Sequence, residues 1–127
     1  MTRFDDTRGV TAADALARLP GENGERSREL FRHGSLQLKV YAPRGSDPQT
    51  PHARDEAYVV IRGTGTFVSD AGRRSFQPGD FLFAPAGIVH RFEDFSDDFA
   101  VWVIFYGPEG GERAAEGANA SGSARRS

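Results

Sequence analysis

Two histidines and one glutamate are the residues of this chain whose types and spacing are best suited to metal binding or catalysis. His52 lies just before an apolar run that begins at Glu56 and contains Tyr58. His90 begins a later run that contains Phe92. Alternate side chains of a strand share one face, so residues of equal parity in each run point the same way. In a closed barrel that face can line the lumen, where two imidazoles and a carboxylate converge. Such a donor set suits a divalent transition metal, with Fe as the first candidate and Mn, Ni, Cu or Zn as alternatives.

Short strands must position these residues. From residue 56 onward, apolar runs alternate with turn signals rich in Gly, Pro, Asp and Ser. The predicted strands are 30–31, 36–41, 56–62, 64–69, 73–77, 81–84, 89–95 and 99–106. This rhythm is typical of an antiparallel sandwich or barrel.

The two ends of the chain differ from this central region. A short helix is predicted after Thr11, which can cap it, and Pro20 and Gly21 should end it. Residues 107–127 contain no aromatic and no branched aliphatic side chain, so we expect a disordered tail. The expected organisation is a helix and linker at 1–27, a barrel at 28–106 and the tail at 107–127.

The residues around His90 follow a spaced pattern. Gly79, Pro85, Gly87 and His90 fit G-x5-P-x-G-x2-H-x3-N, with Asp94 in the Asn place. The glycines and the proline suit tight turns at both ends of a short strand. This pattern favours a functional position for His90, such as that of a metal ligand, over that of an ordinary surface histidine.

A second pattern lies upstream. Gly45 precedes a segment that fits H-x-H-x3-E-x6-G at His52, Glu56 and Gly63, with Thr50 where the leading His would stand. Together the two patterns resemble the motifs of the cupin superfamily.

The resemblance implies an all-β fold, a double-stranded β-helix (the cupin or jelly-roll barrel), with the short helix at its N-terminus. It also implies that His52, Glu56 and His90 bind a metal. It does not extend to Thr50, whose hydroxyl is a poor ligand for a borderline cation.

The substitution at position 50 leaves three alternatives for the remaining ligand position. Water or substrate can fill it, which would give an open site with three protein ligands. Gln49, on the same irregular loop, can turn its amide oxygen inward. In the third alternative no metal binds and the lumen is a polar pocket.

Structural roles compete with the metal at each residue. His52 lies beside two charged residues and could be an exposed loop histidine. A carboxylate opening an apolar strand needs a partner, and Arg62 or Arg91 could supply one to Glu56 instead of a metal.

Composition limits the class of protein. The net charge of −2 and the pI near 5.9 give no reason to expect nucleic acid or an anionic membrane as partner. The absence of cysteine excludes disulfides and thiolate ligands. With no apolar signal segment or spanning run in the sequence, a cytoplasmic location is the expectation.

We expect a homodimer. The last predicted strand is apolar on both faces, so its outer face must be covered by the N-terminal segment or by a second copy. Barrels of the family that this chain resembles commonly dimerise.

The leading functional hypothesis is a small metal-dependent enzyme, a non-haem metal oxygenase acting on a small organic molecule in the lumen. Tyr58, Phe83 and Phe92 would shape the pocket, Arg62 could bind a substrate carboxylate, and Glu56 could dissociate to act as a base. The alternatives are a non-catalytic module that binds a small ligand or metal, and a cupin isomerase or decarboxylase. Nothing in the sequence names the substrate.

Overall fold

Eight antiparallel strands and one helix form the described part of the chain. A computed structural model describes residues 4–5 and 7–113. The elements are α1 (Ala12–Leu16), β1 (Ser27–His33), β2 (Leu36–Tyr41), β3 (Asp55–Arg62), β4 (Gly65–Ser69), β5 (Gly72–Phe76), β6 (Phe81–Ala84), β7 (Arg91–Glu93) and β8 (Ala100–Tyr106). No helix within the described ranges is long and apolar enough to cross a membrane.

The strands form two sheets that face each other. One sheet has five strands in the order β1-β2-β8-β3-β6, and the other has three in the order β5-β4-β7. Neighbouring strands are antiparallel throughout. This arrangement confirms the predicted all-β jelly-roll fold.

The main core lies between the two sheets and follows the predicted alternation of faces. On β3 and β8 the inward side chains include Tyr58, Val60, Val101 and Val103, all nearly inaccessible to solvent. The facing sheet and its connections contribute Phe67, Phe76, Phe92 and Phe99. The aromatic rings pack edge-on or tilted, which is the favourable arrangement for their quadrupoles. The functional side chains are therefore held against a close-packed aromatic layer.

The N-terminal segment covers part of the outer face of the five-stranded sheet, over β1, β2 and β8. Ala15 of α1 packs with Leu30 and Val40, and Trp102 of β8 packs against the same cluster. The predicted cover for β8 is thus supplied by this chain itself. The helix is shorter than expected, because its end tightens into i→i+3 hydrogen bonds such as Leu19 N–H to the Leu16 carbonyl, 3.0 Å.

Two predicted boundaries need correction. Ser27 already belongs to β1, so the linker ends before residue 27. Residues 107–113, predicted as part of the tail, dock on the barrel: Gly110 N–H donates to the Ala53 carbonyl at 2.7 Å, and Glu112 N–H donates to Asp55 Oδ2 at 2.8 Å. The sequence pattern missed this because backbone amides, not apolar side chains, hold the segment. The rest of the predicted tail, 114–127, lies outside the described residues.

Candidate metal centre

The two sequence patterns meet through a backbone hydrogen bond. The turn after β6 places Gly87 in a left-handed conformation, φ 79°, which glycine adopts without steric cost. Gly87 N–H donates to the His52 carbonyl at 2.8 Å. The loop that carries His52 is therefore fixed to the turn that leads into His90.

Glu56 and Tyr58 point into the barrel from β3. Glu56 lies directly opposite Phe105 of β8, and Tyr58 lies opposite Val103. Directly opposite residues of an antiparallel pair share one face, so this pairing fixes both side chains toward the lumen. Glu56 is 2% exposed and Tyr58 is fully buried.

The three predicted ligands come together. One donor atom from each of His52, Glu56 and His90 lies within 4.8 Å of the others. His90 Nε2 is 3.0 Å from Glu56 Oε1, and His52 Nε2 is 3.7 Å from the same oxygen. Imidazole nitrogens and a carboxylate oxygen at this spacing fit the ligand set of a borderline divalent cation.

His90 is held with one nitrogen aimed at this cluster. Its Nδ1 lies 2.8 Å from the Ile88 carbonyl, which can only accept, so Nδ1 carries the hydrogen. In the neutral ring, Nε2 then presents its lone pair toward Glu56. A backbone carbonyl that accepts from the other ring nitrogen fixes the tautomer of a metal-binding histidine in many proteins.

A proton is the alternative to a metal at His90. Burial by itself lowers the pKa of His90, but the hydrogen bond to Glu56, the Ile88 carbonyl and the nearby carboxylates outweigh it, so the pKa is raised. Lone pairs of a neutral imidazole and a carboxylate at 3.0 Å would repel, so a cation, either H⁺ or a metal, must lie between them.

The arginines proposed as partners of Glu56 lie elsewhere. Arg62 Nε donates to the Asp98 carbonyl at 2.7 Å, and Arg91 pairs with Glu93. Within the described ranges, the groups that face the Glu56 carboxylate are the two imidazoles and the Tyr58 hydroxyl. A buried carboxylate without a guanidinium or ammonium partner supports the metal over the ion pair.

Gln49 turns into the cluster, and Thr50 does not. Gln49 Oε1 is 3.5 Å from His52 Nε2 and accepts a hydrogen bond from the Tyr58 hydroxyl at 3.2 Å. Thr50 is exposed. Of the three alternatives for the remaining ligand, this geometry supports the amide oxygen of Gln49.

Tyr58 was predicted to shape the pocket, but its hydroxyl contacts the candidate ligands directly. Its hydroxyl is 3.0 Å from His90 Nε2 and hydrogen-bonds Gln49. Burial and the charge of Glu56 raise the pKa of Tyr58 well above its ordinary value, so the phenol stays protonated.

Asp47 organises this side of the cluster and was not predicted. The Asp47 carboxylate is 9% exposed and accepts from Gln49 Nε2 and from Phe92 N–H, both at 2.7 Å. It also accepts from the Tyr41 hydroxyl, whose pKa is raised by burial and by this carboxylate. The only signal in the sequence was an Asp between prolines in a loop, which is more often a solvated turn residue.

A cavity of about 170 Å³ leads from solvent to the cluster. Gln49, His52 and Glu56 form its inner end, and Lys39, Tyr41 and Phe105 contribute to its walls. The cavity gives a small molecule access to the candidate ligands.

None of the four predicted pocket residues lines this cavity. Tyr58 is buried beside the cluster, and the other three side chains face elsewhere. Phe83 is 41% exposed on the outer face of β6, because Ala84, not Phe83, lies opposite Glu56 and shares its face. Arg62 is exposed, because the register of β3 shifts between Val60 and Arg62 and turns the side chain away. Phe92 is buried behind Tyr58, with ring centroids 4.9 Å apart, and belongs to the core.

Comparison with known proteins agrees with the fold. The family model described as a cupin domain matches residues 37–106. The protein SCO3923 of Streptomyces coelicolor is 31% identical over 83 residues, which are 64% of this chain and 79% of that protein.

Solved structures show the same architecture. Protein NMB1881 from Neisseria meningitidis has a TM-score of 0.62 at 17% identity, covering 78% of this chain and 99% of its own. The DMSP lyase DddQ from Ruegeria pomeroyi has a TM-score of 0.57 at 25% identity, covering 78% of this chain and 55% of its own.

Proposed function

This chain belongs to the cupin family, and we propose that it is a divalent-metal-dependent enzyme acting on a small organic molecule in the barrel lumen. One observation carries the proposal: the His52, Glu56 and His90 donor atoms lie within 4.8 Å of one another around a buried carboxylate, at the inner end of an open cavity. A structural role alone would not require a cavity that reaches the cluster.

The donor set suits Fe, Mn, Ni, Cu or Zn, which would be held by two imidazoles, one carboxylate and the Gln49 amide oxygen. Such an ion would supply Lewis-acid polarisation of a substrate oxygen or, if redox-active, activation of dioxygen. Four protein donors would leave up to two positions of an octahedral ion for small molecules.

The side chains have separate roles around that ion. The Ile88 carbonyl holds the ring of His90, and Asp47 holds the amide of Gln49. Val103 and Phe105 on the cavity wall exclude water from the substrate. Glu56 would bind the ion and, once dissociated from it, would act as a base.

Oxygenation of the bound molecule is our first candidate reaction. It requires open coordination positions beside an apolar wall, and Val103 and Phe105 form such a wall in this cavity.

A non-redox lyase or isomerase reaction is the second candidate. The protonated Tyr58 hydroxyl favours it, since it lies 3.0 Å from His90 Nε2 and can donate a hydrogen bond to a substrate oxygen held at the cluster. A solved structure at 25% identity bears the name of a lyase.

Metal analysis of the purified chain tests the proposal. We expect one equivalent of metal in the wild type and loss of metal in His90→Ala, with His33→Ala as the control, because His33 is an exposed histidine outside the cluster. Full occupancy in His90→Ala would show that the ligand set is wrong.

Nitric oxide distinguishes an open site from a closed one. An EPR-active nitrosyl adduct of the Fe(II) form would show the open positions that both candidate reactions require. A metal-loaded protein that forms no adduct would have a closed coordination sphere, which would favour the non-catalytic binding module.

A further inference from the structure

Lys39 stands on the wall of the cavity that leads to the metal cluster. It is the only lysine in the 127-residue sequence. A single ammonium beside a substrate cavity is a candidate for recognition of an anionic group, which the proposed function has not specified.

Strand register places Lys39 in the same row as Tyr58. Lys39 lies opposite Val103, and Val103 lies opposite Tyr58 on the next strand. Opposite residues share a face, so Lys39 points to the lumen side of the sheet. Two strand spacings separate the Cα atoms of Lys39 and Tyr58 by about 10 Å. The flexible four-carbon stem of lysine can bring its ammonium to a ligand that also reaches the cluster.

The acidic neighbour of Lys39 is already engaged. Glu29 lies opposite Lys39 on β1, but Arg32 binds both oxygens of its carboxylate, at 2.7 and 3.1 Å. Gln37 Nε2 donates to the same carboxylate at 2.8 Å. The Lys39 ammonium makes no hydrogen bond and no ion pair within 4 Å to any residue of the described ranges, and its charge acts on Glu29 only over a longer distance. Its ammonium is therefore available to a ligand.

The nearby guanidinium is not available in the same way. Arg54 donates to the Ser35 carbonyl and to Gln37 Oε1, and its guanidinium lies 6.0 Å from the Phe105 ring centroid. The cavity thus offers one free cation, in the part of the chain that the structure describes, rather than a clamp of several. One ammonium suits a carboxylate better than a phosphate, which proteins usually bind with several donors.

We propose that Lys39 binds a carboxylate of the substrate, so that the enzyme acts on a small organic acid. The acid would hold one end against Lys39 and present an oxygen at the other end to the cluster of His52, Glu56 and His90. A cavity of about 170 Å³ has room for about six water-sized groups at about 30 Å³ each, which is the size of a small organic acid. This inference rests on the proposed function for the metal end only.

The test uses the metal-loaded full chain with two probes, succinate and its uncharged analogue succinamide. Calorimetry should show binding of succinate that weakens about tenfold in Lys39→Met, because a partly buried ion pair is lost while the length of the side chain is kept. Lys39→Arg should retain most of the affinity, and the exposed Arg74→Met should retain all of it. Succinamide should bind more weakly than succinate to the wild type and should not distinguish Lys39→Met from it.

The overturning result is equal succinate affinity in wild type and Lys39→Met with the metal content unchanged. That outcome would mean that Lys39 serves Glu29 instead of a ligand.

A second measurement keeps this claim separate from the metal. Reductive methylation with ¹³C-formaldehyde retains the charge and labels Lys39 and the N-terminal amine, which give distinct NMR signals. Succinate should shift the Lys39 signal and leave the N-terminal one in place, and the absence of a shift would overturn the Lys39 assignment. If the wild type binds no metal but succinate still shifts the Lys39 signal, the proposed function fails while the anion site stands.

Discussion

The buried Asp47 carboxylate gives the sharpest test of how the cluster is held together. It accepts hydrogen bonds from Gln49 Nε2, from Phe92 N–H and from the Tyr41 hydroxyl. The perturbation is Asp47→Asn, which keeps the size of the side chain and removes its charge. The acceptor capacity then falls, because the new amide nitrogen can only donate.

The expected magnitude follows from those three bonds. A hydrogen bond to a charged group contributes about 1.5–3 kcal/mol and a neutral one about 0.5–1.5 kcal/mol, so three weakened bonds cost about 3 kcal/mol. Relief of the desolvation of a buried charge returns about 1 kcal/mol. The net loss is about 2 kcal/mol, which lowers the melting temperature of a domain this size by about 6–10 °C.

Differential scanning calorimetry and metal titration are the assays. Asp70→Asn is the matched control, because Asp70 is exposed in a turn and its substitution should change neither quantity. Asp47→Asn should also weaken metal binding severalfold, since Gln49 loses the group that orients its amide. A melting temperature within about 2 °C of the wild type would refute the reasoning, because it would mean that the three bonds contribute no net stability.

Three further predictions concern pH, the C-terminal segment and assembly. Because the pKa of His90 is raised above its ordinary 6.5, its protonation stabilises the metal-free fold at low pH, and this contribution is lost as pH rises through the raised pKa. Metal competes with that proton, so metal affinity, measured by competition with a chelator, should rise with pH over the same range. Deletion of 114–127 should leave the melting temperature within about 2 °C, whereas deletion of 107–127 should lower it further because the bonds of that segment to the barrel are lost. We still propose a homodimer, now through the exposed Phe81 and Phe83 of β6, and light scattering that returns only the 13.9 kDa monomer mass would remove it.

Local patterns were enough for the architecture. Turn residues and alternation of faces located the strands, and parity placed Glu56 and Tyr58 toward one lumen. His90 was predicted on a strand that begins at residue 89, but it lies in the connection before β7, which begins at Arg91. Parity failed at Phe83, because β6 is apolar on both faces and only its pairing with β3 decides which face is inside. It failed at Arg62 because a register shift cannot be seen in a sequence.

The residues that hold the candidate ligands in place could not be predicted for a related reason. Asp47 accepts a hydrogen bond from the backbone N–H of Phe92, a residue of another strand that the fold brings beside it. The position of Lys39 relative to the cluster depends on two strand pairings, Lys39 with Val103 and Val103 with Tyr58. Neither relation has a local signal, whereas a metal-ligand motif does.

The exchange of roles between positions 49 and 50 gives a last prediction. The family pattern has a histidine at the position of Thr50, but here that side chain is exposed and Gln49 points inward, held by Asp47. If the backbone of the loop decides which side chain reaches the cluster, Gln49→His should strengthen metal binding by replacing a weak amide donor with an imidazole. Thr50→His should leave the affinity unchanged, although it restores the pattern. Isothermal titration with the same metal compares the two variants, and tighter binding in Thr50→His alone would show that the loop rearranges to present residue 50 and that Gln49 is not the fourth ligand.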